Sequence, residues 1–374
     1  MTSTAELSDL ADLRDAARSL LTARCDEPDV RATIEGPDGF DAALWKVLAG
    51  QLGAQSLTIP EEFGGDGYGY VELGVILSEM GRRIMPGPFF ASVVLAGSAI
   101  TLCTDQSAMR DYLPTIADGS RIATLAVNEQ DGEWRSSGFT TRGRQDGTDW
   151  MLTGTKTLVP SAQVADTLII AANTDSGPTL FAVDKGAPGM SIERLATLDL
   201  TRPLYTVRLH TVSARPVGDL GSASAVLDAV LPRATAALAA EQIGAARECL
   251  EMSVAYAKDR IQFGRAIGSF QAIKHKCADM FTAIELASAA CDEALRAIDG
   301  LPDAPPAGVA AAVAHAACSE ASMAVAKETI QVHGGIAFTW EHPAHLYFRR
   351  AKASQMMFGG PARYYERLLH EFGI

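Results

Sequence analysis

The sequence predicts an α+β protein in three consecutive parts: an all-helical N-terminal domain over residues 1–119, a middle domain of antiparallel β-strands over 120–222, and a helical bundle over 223–374. Three observations predict it. Apolar residues recur at helical spacing through the first third. Short β-rich runs alternate with turns between residues 120 and 217. Three long alanine-rich stretches fill the last third. The 374 residues suffice for two or three domains, and a hydrophobic share of 48% can bury a large core. Aromatic residues make up only 7%, so that core is expected to consist of closely packed helices.

In the first part, Leu7, Leu10, Leu13, Ala17 and Leu20-Leu21 recur at helical spacing. Pro60-Glu61-Glu62-Phe63-Gly64-Gly65-Asp66-Gly67 interrupts the pattern as a glycine-rich loop. Helix resumes over 70–82, breaks at Pro86-Gly87-Pro88, and returns over 89–102. In the middle part, strands are expected at 122–127, 150–155, 167–172, 179–183 and 205–209, with Asp146-Gly147 as a hairpin turn. In the last part, helices are expected over 224–260, 269–298 and 307–333. The proline-bearing segment 301–306 is read as a loop between the last two.

A formal charge of −13 without a basic surface argues against nucleic-acid binding. The six cysteines, Cys25, Cys103, Cys249, Cys277, Cys291 and Cys318, contain no Cys-x-x-Cys arrangement. They read as reduced, buried thiols of a cytoplasmic protein. Residues 1–12 are polar and acidic, unlike a signal or transit peptide, and no apolar run is expected to span a bilayer. His333, His342 and His345 lack carboxylate partners at ligand spacing, so no metal site is expected.

Two segments carry the functional signal. Arg260-Ile261-Gln262-Phe263-Gly264 alone is an ordinary helix end, with a stop glycine and a dipole-compatible arginine. It continues as Arg265-Ala266-Ile267-Gly268-Ser269-Phe270-Gln271. Gln331-Val332-His333-Gly334-Gly335 could equally be a helix closing in a Gly-Gly turn, but two adjacent glycines also let backbone approach a ligand closely. It continues through Trp340-Glu341-His342-Pro343-Ala344-His345-Leu346-Tyr347-Phe348-Arg349-Arg350. Together with Ile59-Pro60-Glu61-Glu62-Phe63-Gly64-Gly65, these segments resemble the acyl-CoA dehydrogenase family over nearly the whole chain and in the family's domain order.

The resemblance implies the family fold, with a C-terminal four-helix bundle, and FAD as cofactor. It places Arg260, Gln262, Phe263 and Gln271 against the pyrophosphate and neighbouring parts of FAD. Gln331, Gly334 and Gly335 fall on its adenosine-side arm. Arginine suits a pyrophosphate because its planar fork pairs with phosphate oxygens.

The same resemblance exposes what is missing. Family members use a carboxylate to remove the α-proton of an acyl-CoA, and geometry restricts where it can sit. At the two usual places this chain has Gly359 and Ala234, so no catalytic residue is assigned. Glu241, seven residues after Ala234, lies about 10 Å further along the same helix face and is read first as a salt-bridge partner. Glu341 and Glu366 have no better claim. The family's Thr-Glu-Pro…Gly-Ser-Asp loop corresponds here to Val127-Asn128-Glu129-Gln130-Asp131-Gly132-Glu133. Its Lys-x-Trp-Ile-Thr/Ser-Asn segment corresponds to Lys156-Thr157-Leu158-Val159-Pro160-Ser161, with leucine for tryptophan and a proline that lacks a backbone donor.

In the family one protomer holds the flavin ring and base while its neighbour supplies the arginine-phenylalanine and Gln-x-x-Gly-Gly contacts. The chain keeps the contacts lent to a neighbour and lacks its own. The resemblance therefore implies an oxidoreductase subunit that completes the FAD site of a second acyl-CoA dehydrogenase subunit in an α2β2 heterotetramer. Its substrate would be an acyl-CoA, with a steroid-like acyl group suggested by the subfamily, and electron-transfer flavoprotein is the family's usual acceptor. Two alternatives stand beside it: a self-sufficient homotetrameric flavoenzyme with a relocated base, and a non-catalytic scaffold or acyl-CoA-binding protein.

Overall fold

The computed structural model describes residues 4–373, with side chains from residue 8 onward; the first three residues of the acidic N-terminus lie outside the described residues. The chain begins with α1 (Thr4–Arg24), α2 (Glu27–Glu35) and α3 (Ala42–Leu52). Aspartates fix the starts of the last two. Asp26 accepts from the Asp29 N–H at 3.0 Å, and Asp41 from those of Ala43 and Leu44 at 2.7 and 3.1 Å. The glycine-rich loop follows, with Phe63 buried as its anchor. In α4 (Tyr70–Arg82) the first N–H groups, of Tyr70 and Val71, donate to the distant Asp299 carboxylate at 2.7 and 2.9 Å. The helix expected over 89–102 is wound in two ways. Phe90–Gly97 is π-helical, a wider winding frequent near functional sites, and α5 (Ser98–Leu102) is regular. The first part ends with α6 (Gln106–Ala117).

Seven strands follow: β1 (Ala123–Ala126), β2 (Arg142–Asp146), β3 (Asp149–Pro160), β4 (Thr167–Thr174), β5 (Gly177–Asp184), β6 (Met190–Arg194) and β7 (Leu204–Val217). The β2–β3 hairpin closes at the expected turn, where Asp146 pairs with Asp149 and Gly147 has a φ of 64°. Pairings β4–β5, β5–β7, β7–β3, β3–β2 and β2–β4 return on themselves, so the sheet closes into a small barrel, with β1 added to β4 and β6 to β7. The expectation of wholly antiparallel strands needs correction, because β1 and β2 run parallel to β4. A bulge in β3 between Lys156 and Val159 contains Leu158 at a φ of 51°.

The last part comprises α7 (Ala223–Asp259), a two-residue-stranded hairpin of β8 (Ile261–Gln262) and β9 (Arg265–Ala266), α8 (Gln271–Ile298), α9 (Ala307–His333), α10 (Ala344–Met356) and α11 (Pro361–Glu371). Helices α7 to α10 form the bundle, α11 covers α9, and α4 lies along α7. The α4–α7 contact is set by two glycines. A Cβ on Gly81 would stand 2.0 Å from the Glu241 carbonyl oxygen, and one on Gly244 would stand 1.8 Å from that of Ser78. Only glycine lets the two backbones approach this closely.

The expectation about apolar runs is also corrected. Ala223–Asp259 and Ala307–Phe338 are long and apolar enough, by composition, to cross a membrane, yet both are mostly buried as central helices of the bundle. Their alanine content serves close helix packing. The six cysteines are free thiols, five of them buried, and burial pushes Cys25 and Cys249 up to about 12.

Candidate functional site

The residues singled out around 260 and 331 come to one end of the bundle. Helix α7 stops at Asp259, and β8 pairs with β9 through Ile261–Ala266 and Gln262–Arg265. The intervening Phe263-Gly264 turn has φ values of 51° and 76°, as a two-residue turn with both central residues left-handed requires. Phenylalanine is a rare choice there, and its ring is 92% exposed. Phe270 meets it edge-on at 6.1 Å and carries the Arg265 guanidinium 4.0 Å above its own face. Gln271 opens α8 and contacts the His275 Nε2 at 2.8 Å.

Helix α9 approaches the same end. The Tyr256 and His333 rings are 4.5 Å apart, Ser253 Oγ meets Thr329 Oγ1 at 3.2 Å, and Lys276 pairs with Glu328. Gly334 has a φ of 66°, and a Cβ at Gly334 or Gly335 would meet nothing within 4 Å, so this backbone faces open space. Arg260, Gln262, Phe263, Gln271, Gln331 and Gly335 are all exposed, and Gly334 is half-buried. Together they form an outward-facing surface of one cation, amide groups, an aromatic ring and bare backbone. That set fits a diphosphate-linked dinucleotide such as FAD: the guanidinium for phosphate oxygens, the ring for stacking, the glycines for close approach. None of the seven residues lines the cavity between the β domain and α10.

This cavity lies elsewhere, between the β domain, the π-helical segment and α10. Its volume is about 350 Å³. Leu95, Leu125, Trp134, Leu158, Leu198 and Phe358 supply most of its apolar wall. Phe358 has a φ of 63° and is held by the Tyr364 hydroxyl, which donates to its carbonyl at 2.9 Å. Its ring packs edge-on against Trp134 at 5.2 Å and beside Phe90 at 6.3 Å. Gly359 follows at a φ of 102°, and its carbonyl accepts from His315 Nε2 at 3.0 Å. Burial pushes His315 down to about 4, so it is neutral at neutral pH. A Cβ at Gly359 would stand 2.9 Å from Arg363 Cδ. Ala234, the other base position, is fully buried.

Glu241 is not a base in this arrangement. It is buried, with both carboxylate oxygens 2.7 Å from Arg202 Nη2 and one of them 3.0 Å from Arg350 Nε. Burial alone would raise its pKa, but the two guanidiniums outweigh it and hold the carboxyl below the usual range. Arg350 continues to Thr201 Oγ1 at 2.8 Å and Asp199 Oδ2 at 3.5 Å. This alternating row, Arg202–Glu241–Arg350–Asp199, ties the 199–202 loop to α7 and α10. A salt bridge at Glu241 was expected, but its partners Arg202 and Arg350 were not, because they lie far away in the chain. Glu341 and Glu366 are exposed and line no part of the cavity.

The remnant of the family's flavin-facing loop is structural. Glu129 accepts from the N–H and hydroxyl groups of Thr140 and Thr141 at 2.6–2.9 Å and pairs with fully buried Lys156 at 2.9 Å. Burial opposes ionisation, but Lys156 and these four donors prevail and bring Glu129 down to about 2. The neighbouring side-chain donors are spent on backbone: Asn128 Nδ2 on Gly132 O at 2.8 Å and Thr197 Oγ1 on Asp199 O at 2.9 Å. The side chains of Leu158 and Pro160 offer none. An isoalloxazine ring needs donors along its pyrimidine edge, and the wall around Leu158 and Pro160 is apolar, whereas the outward surface fits the phosphate half of FAD. Among the described residues, no cluster of His, Cys, Asp or Glu could hold a metal ion.

Comparison with known proteins agrees with this architecture. The chain matches the acyl-CoA dehydrogenase N-terminal domain over residues 8–120, the middle domain over 124–210 and the C-terminal domain over 225–365. It is 34% identical to the acyl-CoA dehydrogenase IpdE2 of Mycolicibacterium smegmatis, over 95% of this chain and 96% of that one. Among solved structures it resembles a chain of a Tcur3481-Tcur3483 steroid ACAD variant, with a TM-score of 0.86 and 35% identity over 98% of both chains. It also resembles a chain of the ChsE4-ChsE5 complex from Mycobacterium tuberculosis, with a TM-score of 0.88 and 30% identity over 100% of this chain and 98% of that chain.

Proposed function

The chain belongs to the acyl-CoA dehydrogenase family, and from that premise we propose that it is the site-completing subunit of an FAD-dependent acyl-CoA dehydrogenase, paired with a catalytic subunit as α2β2. When bound, FAD supplies the hydride acceptor for α,β-dehydrogenation of the acyl-CoA. The partner contributes the base and the ring-binding half. In this chain Arg260 would pair with the pyrophosphate, and Gln262, Phe263 and Gln271 would contact the pyrophosphate and neighbouring parts of FAD. Gln331 and the Gly334-Gly335 backbone receive the adenosine-side arm. A steroid-like acyl group as substrate is supported by the likeness to a steroid ACAD. Electron-transfer flavoprotein is the acceptor the family membership suggests.

One observation carries this reading. The FAD-matching residues form an exposed surface, while Gly359 and Ala234 stand at the base positions and Glu241 is locked between two arginines. The same lock argues against a self-sufficient enzyme that uses Glu241. The test is Arg260→Ala in the co-expressed complex. Loss of a charge-assisted contact to phosphate, worth about 1.5–3 kcal/mol, weakens FAD binding by about 10- to 100-fold. Intact assembly, measured by light scattering, should accompany that loss. Unchanged FAD affinity would remove Arg260 from the site.

A further inference from the structure

The cavity beside α10 has no role in the lent half-site, yet it is well formed. We propose that it binds an apolar carboxylic acid with a body of two to three rings, anchored by Lys352; this rests on the reading that no flavin ring occupies it. Size supports the ring count. A cavity of ~150 Å³ lined by aliphatic side chains admits one benzene, and this one measures about 350 Å³.

The walls select an apolar body. Leu158 and Leu198, which line the cavity, remain 39% and 48% exposed, so an occupant would remove large aliphatic surface from water. Leu158 and Phe358 both hold left-handed backbone while facing the cavity. Residues with branched or bulky side chains carry strain there, and such strain gathers at ligand sites.

The charges select an acid. Three ionisable side chains line the cavity: Asp199, Arg202 and Lys352. Asp199 accepts from the Thr201 N–H and hydroxyl at 2.9 and 2.6 Å, and Arg202 is taken by Glu241. Among the described residues, Lys352 Nζ contacts only neutral atoms, Gln355 Oε1 at 2.9 Å and Met356 Sδ at 3.8 Å. A half-buried ammonium with a neutral first contact, beside an apolar chamber, is complementary to a carboxylate on an apolar body. A merely solvated lysine would show no ligand preference, and that difference can be measured.

The probes are 2-naphthaleneacetic acid and its neutral counterpart 2-naphthaleneethanol, titrated calorimetrically into the full chain in the assembly in which it purifies. The acid binds more tightly than the alcohol by about tenfold or more, the worth of a charge-assisted hydrogen bond. Lys352→Met abolishes that preference without changing alcohol binding, and Lys352→Arg keeps it. Leu198→Trp, at a half-exposed position that folding tolerates, weakens both ligands by obstructing the chamber. No binding of the acid, equal binding of acid and alcohol, or binding indifferent to these variants would each overturn the proposal. Flavin absorbance of the same samples reports separately on the underlying reading. One FAD per chain overturns that reading, whereas half occupancy without acid binding overturns only the acid site.

Discussion

Glu241→Gln separates a structural carboxylate from a catalytic one. The substitution preserves shape and removes one charge from the buried row Arg202–Glu241–Arg350–Asp199. Three contacts of 2.7, 2.7 and 3.0 Å lose their ionic partner. Arg350 retains Asp199, but Arg202 is left buried with Ser354 Oγ at 3.3 Å and the Met357 sulfur at 3.5 Å. Breaking a buried pair by removing one member costs about 3–5 kcal/mol. At about 2–4 °C per kcal/mol for a unit of 150–250 residues, the melting temperature falls by roughly 6–20 °C. Thermal melts followed by circular dichroism measure this directly. The double variant Glu241→Met with Arg202→Met recovers much of the loss, since apolar packing replaces a buried ion pair at little net cost. Unchanged melting with turnover reduced by orders of magnitude would falsify the structural assignment and make Glu241 a base.

Two further perturbations test the frame around the site. Gly244→Ala puts a Cβ about where the Ser78 carbonyl stands, 1.8 Å from its oxygen; backbone must move, so urea denaturation should show a loss of at least about 3 kcal/mol, and a loss under about 0.5 kcal/mol would refute the close α4–α7 contact. Glu129 is held down at about 2, from an ordinary value of 4.5, so its contribution of about 3 kcal/mol is complete above pH 4.5 and is lost as pH falls toward 2. Denaturation between pH 6 and 3 should therefore show a steep acid loss that Glu129→Gln flattens, at lower stability throughout; an unchanged slope would refute the assignment.

Much of this molecule was legible from residue pattern, for reasons particular to each element. The bundle helices were readable because alanine-rich periodicity and proline-marked loops fix their ends locally. Strands β2 and β6 were not, because they are mostly exposed or half-buried and carry no apolar alternation. The parallel β1–β4 pairing escaped because it depends on how distant segments cross, not on either strand's composition. The half-site proposed at 260–271 and 331–335 rests on contiguous motifs; that most of its residues face outward was not legible in them. Of the Arg202–Glu241–Arg350–Asp199 row, only a salt bridge at Glu241 was legible. Its partners are 39 and 109 residues apart, and only the fold makes them one object.

The central claim is that this chain lends half an FAD site and holds no flavin ring of its own. Flavin stoichiometry tests it most directly: FAD absorbance per chain, with mass by light scattering, for the chain alone and for its complex with a co-expressed acyl-CoA dehydrogenase subunit. The account predicts flavin-free protein alone and about one FAD per two chains in an α2β2 complex. One FAD per chain in a homotetramer of this chain alone would contradict it.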